Sequence, residues 1–283
     1  MDRHPWFVVP LACALLLTSA CASVPEDADP AVGVTAAAVE YENALNANAL
    51  NANALNANAL NANALSAGAL DFGHLGAAAR AAITDPGPTG DLSRQLLRYT
   101  VSCALAPAQA FAFSWTDPAG VLHAEVYPGL LGLASGWLRS APAVKQQEFV
   151  SACLASRANW YGVPVTISSR GTPRALATSP AELTAYPELE GAFWGNLFSA
   201  TPHLRACHYP SGDANARARL RDCAAGHLTD LGSAIPCGMI RLVGACSTVC
   251  DPMASGSTYY PGCAGDPASG DTWTNRVVTT YLP

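Results

Sequence analysis

The clearest hydrophobic pattern in the chain covers residues 149–171 and changes its period in the middle. Up to Tyr161, apolar residues recur at intervals of three, four and seven, the spacing that places side chains on one face of an α-helix. Gly162 is predicted to end this helix. In residues 163–167 apolar side chains then alternate with Pro, Thr and Ser. This stretch therefore predicts a helix followed directly by a strand with one apolar face.

Similar patterns predict the other elements of the chain. Helices are expected at residues 74–83, 91–105, 140–161 and 180–185. A hairpin is expected at residues 111–127, and strands at residues 239–245 and 276–282. Periodicity does not decide between a strand and a tight helix for residues 190–198. Together these elements predict the α+β class, with a few helices packed on a small, mostly antiparallel sheet.

The first residues have the pattern of a signal peptide, predicted at residues 1–20. The apolar run at residues 6–20 contains Pro10 and is shorter than the roughly 20 residues that span a bilayer. The segment LTSAC at residues 17–21 resembles the bacterial lipoprotein signal. That resemblance implies cleavage before Cys21, acylation of this cysteine and anchoring to a membrane. The alternative is an ordinary secretory signal cleaved after Ala22.

A repeat follows the signal, with leucines at positions 45, 50, 55, 60, 65 and 70. Five residues advance about 500° on an α-helix, so successive leucines form no continuous stripe, and on a strand they change face each time. The Asn-rich repeat at residues 43–65 therefore predicts a disordered tether at residues 21–90. A pentapeptide-repeat β-helix is the alternative. The cysteine-rich α+β domain is predicted at residues 91–283, long enough for one core.

The charge balance argues against nucleic acid as a partner. The chain has 15 Lys and Arg against 21 Asp and Glu, and Lys145 is the only lysine. No basic stripe is present to neutralise phosphates.

Cysteines carry the expectation about stability. Cys13 lies in the signal and Cys21 is the lipidation candidate, which leaves eight cysteines of ten. In an exported chain an even number predicts disulfides, here four, with 105 possible connectivities. The candidates are Cys103, Cys153, Cys207, Cys223, Cys237, Cys246, Cys250 and Cys263. Cys103 is predicted to pair with Cys153, since both lie in the middle of helical stripes. Zinc binding by Cys237, Cys246, Cys250 and Cys263 is an alternative, although no cofactor is predicted.

Catalytic candidates are few, because the chain lacks P-loop, dinucleotide-binding, nucleophile-elbow and zinc-protease motifs. His123 and Glu125 lie two residues apart on a predicted strand, so their side chains share a face. The other candidate acids and bases are His203, His208, Asp222 and His227. The aromatic residues that could line a ligand groove are Trp160, Tyr161, Phe193 and Trp194.

Six segments carry a resemblance to a family: RYTVSCAL, YPGLLGLASGW, FVSACLASRANWYGVPVTISSRG, EGAFWGNLF, RACHY and VVTTYL. They are similar to exported, cysteine-containing proteins of unknown function that are common in myxobacteria, over residues 95–282. The resemblance implies no activity. We therefore expect an exported envelope protein, lipid-anchored at the outer membrane or cell surface or otherwise secreted or periplasmic, that acts as a binding or structural module. The alternative is an exported hydrolase using His123 and Glu125.

Overall fold

The computed structural model describes residues 65, 67–265 and 272–283, together with the backbone of residues 38–39 and 45–46. Its α-helices are α1 (Ala77–Ile83), α2 (Pro88–Ala104), α3 (Val144–Arg157), α4 (Pro180–Ala185), α5 (Asp213–Ala218) and α6 (Cys246–Val249). Its strands are β1 (Ala38–Val39), β2 (Leu45–Asn46), β3 (Ala110–Thr116), β4 (Leu122–Pro128), β5 (Ala158–Asn159), β6 (Ile167–Arg170), β7 (Glu188–Asn196), β8 (His203–His208), β9 (His227–Leu228), β10 (Ala234–Ile235), β11 (Ile240–Ala245), β12 (Cys263–Ala264), β13 (Trp273–Thr274) and β14 (Val278–Leu282). None of the described helices is long and apolar enough to cross a membrane.

Six strands form the main sheet, in the order β1-β6-β14-β7-β8-β11. All neighbouring pairs are antiparallel except β8 and β11, which run parallel. The last strand, β14, lies between β6 and β7, and all of its residues are buried. The prediction of a domain that mixes helices and sheet is confirmed, and residues 190–198 prove to belong mainly to a strand.

Helix α3 packs on this sheet, chiefly against β7. Every residue from Phe149 to its end at Arg157 is buried. Cys153 forms a disulfide with Cys103, which lies in the last turn of α2, so the two helices are covalently joined. The predicted pairing of these cysteines is confirmed.

The hairpin β3–β4 covers another part of the core. Its first strand buries Phe111, Phe113 and Trp115 and exposes the residues between them. This alternation is the pattern from which the strand was predicted, and the pairing of Trp115 with His123 confirms the hairpin.

The folded part begins before residue 91, which corrects the predicted domain boundary. Leu65, Leu70 and Leu75 are buried in the same core as α1 and α2. Trp137 Nε1 donates to the Gly68 carbonyl at 3.2 Å, which anchors the segment between them. The period of five excludes a regular stripe, but an irregular chain can bury leucines one at a time.

Part of the predicted tether also pairs with the sheet strands. The backbone of β1 pairs with β6, and that of β2 pairs with β5. The signal peptide, Cys21 and the remaining repeats lie outside the described residues, so the predictions made for them stay predictions.

The junction after α3 also differs from the prediction. The helix ends at Arg157, so Trp160 and Tyr161 do not continue its stripe, and β6 begins only at Ile167. The cause is Asn159, whose side chain accepts from Tyr161 N at 2.9 Å and donates to the Val163 carbonyl at 2.8 Å. These bonds replace those of a helix with those of a turn.

The remaining candidate cysteines form three more disulfides: Cys207–Cys246, Cys223–Cys237 and Cys250–Cys263. The alternative zinc site is wrong for this arrangement, because Cys237 is bonded to Cys223 and the other three sulfurs are also in disulfides.

Candidate functional site: an aromatic cluster around His227

An exposed group of rings lies where α3 gives way to β5 and the following turn. Trp160 and Tyr161 are 38% and 43% exposed, unusual for large side chains beside a core. The Trp160 ring stacks on His227, with ring centres 4.3 Å apart and planes 8° apart. Tyr161 meets the same imidazole edge to face at 5.4 Å. We call these three residues, with Asp222, the His227 cluster.

A buried carboxylate orients the imidazole. His227 Nδ1 lies 2.7 Å from Asp222 Oδ2, and the Asp222 side chain is only 1% exposed. A carboxylate at Nδ1 favours the tautomer with the proton on that nitrogen, which leaves Nε2 as the acceptor when the ring is neutral. The arrangement therefore orients the imidazole and favours one tautomer of its neutral form.

A buried ion pair is the first structural support of the His227 cluster. Arg221, the residue before Asp222, donates to both carboxylate oxygens of Glu190 on β7, at 3.1 and 2.9 Å. It also donates to the carbonyls of Ser156 and Ala158 at 2.9 and 3.1 Å. One guanidinium thus joins the sheet, the end of α3 and the chain that leads to Trp160.

A disulfide is the second structural support of the His227 cluster. Cys223 and Cys237 close a short loop that carries β9, and His227 pairs there with Ile235 of β10. Because Cys223 directly follows Asp222, the disulfide fixes both ends of the strand pair that presents His227.

Two charged groups near the Tyr161 phenol shift its pKa in opposite directions. Partial burial raises the pKa of Tyr161, the Asp222 carboxylate raises it further, and the Arg217 guanidinium lowers it. Tyr161 is therefore a neutral hydrogen-bonding group at physiological pH.

The partners of His227 decide whether its imidazole could activate a nucleophile in the protein. A base oriented by a carboxylate activates a nucleophile only when a hydroxyl or thiol lies within hydrogen-bond reach. Within the part of the chain that the structure describes, no serine, threonine or cysteine side chain is hydrogen-bonded to His227. What the cluster offers is two exposed rings and a set of fixed polar atoms.

The structure places the predicted pair, His123 and Glu125, at a different site on the β3–β4 hairpin. His123 stacks on Trp115 at 4.2 Å, and its Nε2 lies 3.0 Å from Asp117 Oδ2. That bond is the main cause of the lowered pKa of Asp117. Glu125 pairs across the hairpin with Phe113. The two side chains share a face, as predicted, but the contacts described for them are with different residues.

Of the remaining candidates, His208 binds Asp213 at 2.8 Å, and His203 Nδ1 lies 3.0 Å from the Thr201 carbonyl oxygen. Phe193 and Trp194 are fully buried, so they belong to the core, which is the usual place of such aromatics, and do not line a groove. From Glu190 to Asn196 every residue of β7 is buried, so both faces of this part of the strand are covered.

Sequence reasoning identified all four members of the His227 cluster but did not join them. Trp160 and Tyr161 were assigned to a helical stripe, while Asp222 and His227 lie more than 60 residues later. Comparisons with protein-family models, curated proteins and solved structures found no match to this chain. The resemblance to exported myxobacterial proteins therefore stays a prediction.

Proposed function

We propose that the chain is an exported envelope protein, anchored through acylated Cys21, whose domain binds a ligand at the His227 cluster. The observation that carries the proposal is that Trp160 and Tyr161 are exposed on a part of the fold that an ion pair and a disulfide hold in place. Rigid aromatic side chains give contact area at low entropic cost, which is typical of binding sites. The four disulfides favour an oxidising compartment, which supports export.

The cluster suits a ligand with a flat apolar face and hydrogen-bonding groups around its rim, as in a pyranose ring. Aromatic rings cover the flat face, while the Tyr161 phenol and the His227 imidazole bond to the rim. The formal net charge of −6 disfavours a polyanionic ligand. Envelope polysaccharide is therefore the ligand class that we propose.

The experiment is co-sedimentation of the full-length protein, kept soluble in mild detergent, with purified peptidoglycan. Tyr161→Ala is expected to weaken binding at least about fivefold, since truncating an aromatic residue at the centre of an interface costs more than about 1 kcal/mol. The matched control is Tyr209→Ala, because Tyr209 is 42% exposed and lies outside the cluster. Equal binding by both variants, or no binding by the unaltered protein, would contradict the proposed ligand.

An exported hydrolase acting through His123 and Glu125 is a second candidate. Its support is the Asp117 carboxylate 3.0 Å from His123, which orients the ring as a general base requires. This function predicts that His123→Asn abolishes hydrolysis of an ester or glycoside substrate and leaves peptidoglycan co-sedimentation unchanged. Binding that is lost in Tyr161→Ala, with no hydrolysis by the unaltered protein, would exclude it for those substrates.

A further inference from the structure

Two disulfides lie in contact with each other at the edge of the main sheet. Cys207 on β8 is bonded to Cys246, and Cys250 is bonded to Cys263. The sulfur of Cys250 lies 3.6 Å from that of Cys207, which is van der Waals contact between two different bridges. The sulfurs of Cys207, Cys246 and Cys250 all lie within 4.8 Å of one another.

The backbone already holds the three sulfurs together. Cys246 is the first residue of α6 and Cys250 directly follows its last residue, and Cys250 N donates to the Cys246 carbonyl at 2.9 Å. Cys250 also pairs with Cys263 as an isolated antiparallel bridge. Moving a bond from one sulfur to the next therefore requires side-chain rotation, with no refolding of the strands.

The four cysteine residues differ in access to solvent. Cys207, Cys246 and Cys263 are 0% exposed, whereas Cys250 is half-buried. They pack in a small second core with Trp194, Tyr260 and Val277. An external thiolate thus reaches Cys250 first, and the bridge behind it is shielded.

We propose that these two disulfides form a thiol–disulfide exchange site that takes dithiols as its substrate class. A dithiol attacks Cys250 through one thiolate, and Cys263 leaves as a thiolate. The second thiolate of the dithiol attacks the sulfur of the same dithiol that is bonded to Cys250. This step forms the cyclic disulfide of the dithiol and releases the Cys250 thiolate. Cys250 then attacks Cys207, and Cys246 leaves.

The reaction balances without another reagent. Two electrons pass from the dithiol to the protein, and its two protons are carried by Cys246 and Cys263 at the end. One disulfide, Cys207–Cys250, remains in place of two. The buried Cys207–Cys246 bridge is thereby opened by a reductant that never touches it.

The first test uses the Cys263→Ser variant of the full chain, in which Cys250 holds a thiol beside the Cys207–Cys246 bridge. After acid quenching, denaturation and alkylation, peptide mass spectrometry locates the label. Exchange between bonds of similar reactivity predicts a roughly equal division of label between Cys250 and Cys246. Label at Cys250 alone would overturn the proposal.

The matched control is Cys237→Ser, which frees Cys223. No other disulfide sulfur belongs to the group formed by Asp222, Cys223 and Cys237. All of the label is expected at Cys223. Label on cysteines of other disulfides as well would show that exchange occurs during unfolding, and would overturn the proposal that the contact between the two bridges permits it.

The unaltered protein supplies a second test that needs no variant. Treatment with less than one equivalent of dithiothreitol, followed by the same quench, is expected to yield a Cys207–Cys250 cross-linked peptide. If the Cys263→Ser variant fails to fold, this result decides alone. A reduced Cys250–Cys263 pair beside an intact Cys207–Cys246 bridge in all of the partly reduced protein, with no Cys207–Cys250 peptide, would contradict exchange.

Discussion

Replacing Glu190 with glutamine should be among the most destabilising single changes in the domain. The Glu190 and Arg221 side chains are 1% and 0% exposed, so both charges lie in the interior of the domain. Glu190→Gln keeps the shape of the side chain and one acceptor oxygen but removes the negative charge. The guanidinium would then be buried with only neutral acceptors: the glutamine and two backbone carbonyls.

Breaking a buried ion pair at one partner costs about 3–5 kcal/mol, because the other charge stays in the interior. For a folded part of this size, a loss of 1 kcal/mol lowers the melting temperature by about 2–4 °C, so a decrease of about 6–20 °C is expected. Urea unfolding followed by circular dichroism, without reductant so that the disulfides stay intact, measures the free energy directly.

The matched control is Glu188→Gln, two residues earlier on the same strand, because Glu188 is exposed. Its effect should lie within about 0.5 kcal/mol of zero. The double variant Glu190→Gln with Arg221→Met should recover part of the loss, since no unpaired charge remains. A Glu190→Gln protein as stable as the control would refute the reasoning, because it would mean that the carbonyls alone satisfy Arg221.

Two further predictions concern the hairpin and the main sheet. The hydrogen bond from His123 and the backbone N–H groups lower the pKa of Asp117 below the ordinary 3.8, so its stabilising contribution is complete above about pH 4 and is lost as the pH falls through the lowered value. A carboxyl NMR titration should therefore place the Asp117 pKa below 3.8, and a value at or above it would contradict the His123 contact. Gly191→Ala places a methyl group 2.2 Å from the Cys207 carbonyl oxygen and should cost about 1–3 kcal/mol in urea unfolding. Gly136→Ala meets nothing within 4 Å and should be nearly neutral, so equal effects of the two would contradict the strand contact.

Local patterns predicted the elements whose conformation is decided by neighbouring residues. The alternation around Phe113 and the turn at residues 117–120 predicted the hairpin, and Ser179 and Pro180 begin a short helix at the expected place. The Cys103–Cys153 pair was predicted because both cysteines lie in the middle of helical stripes with similar local sequences. In these cases the conformation that neighbouring residues favour is also the one that buries the apolar side chains.

Features that depend on distant contacts were beyond such patterns. Trp160 fits a helical stripe by spacing, but the Asn159 side chain diverts the chain into a turn and exposes the ring. Its stacking on His227 depends on the Arg221–Glu190 ion pair and on the Cys223–Cys237 disulfide. The spacing of neighbouring residues in the sequence does not show that these residues pair. The burial of Leu65 and Leu70 likewise depends on Trp137, far along the chain.

A non-reducing peptide map of the protein isolated from its native cells tests most directly the proposal that the domain is oxidised and exported. Mass spectrometry should find Cys103–Cys153, Cys207–Cys246, Cys223–Cys237 and Cys250–Cys263, no free thiol among these eight residues, and a mature N-terminus at acylated Cys21. Free thiols throughout a folded protein, together with an intact peptide spanning residues 13–21, would contradict it.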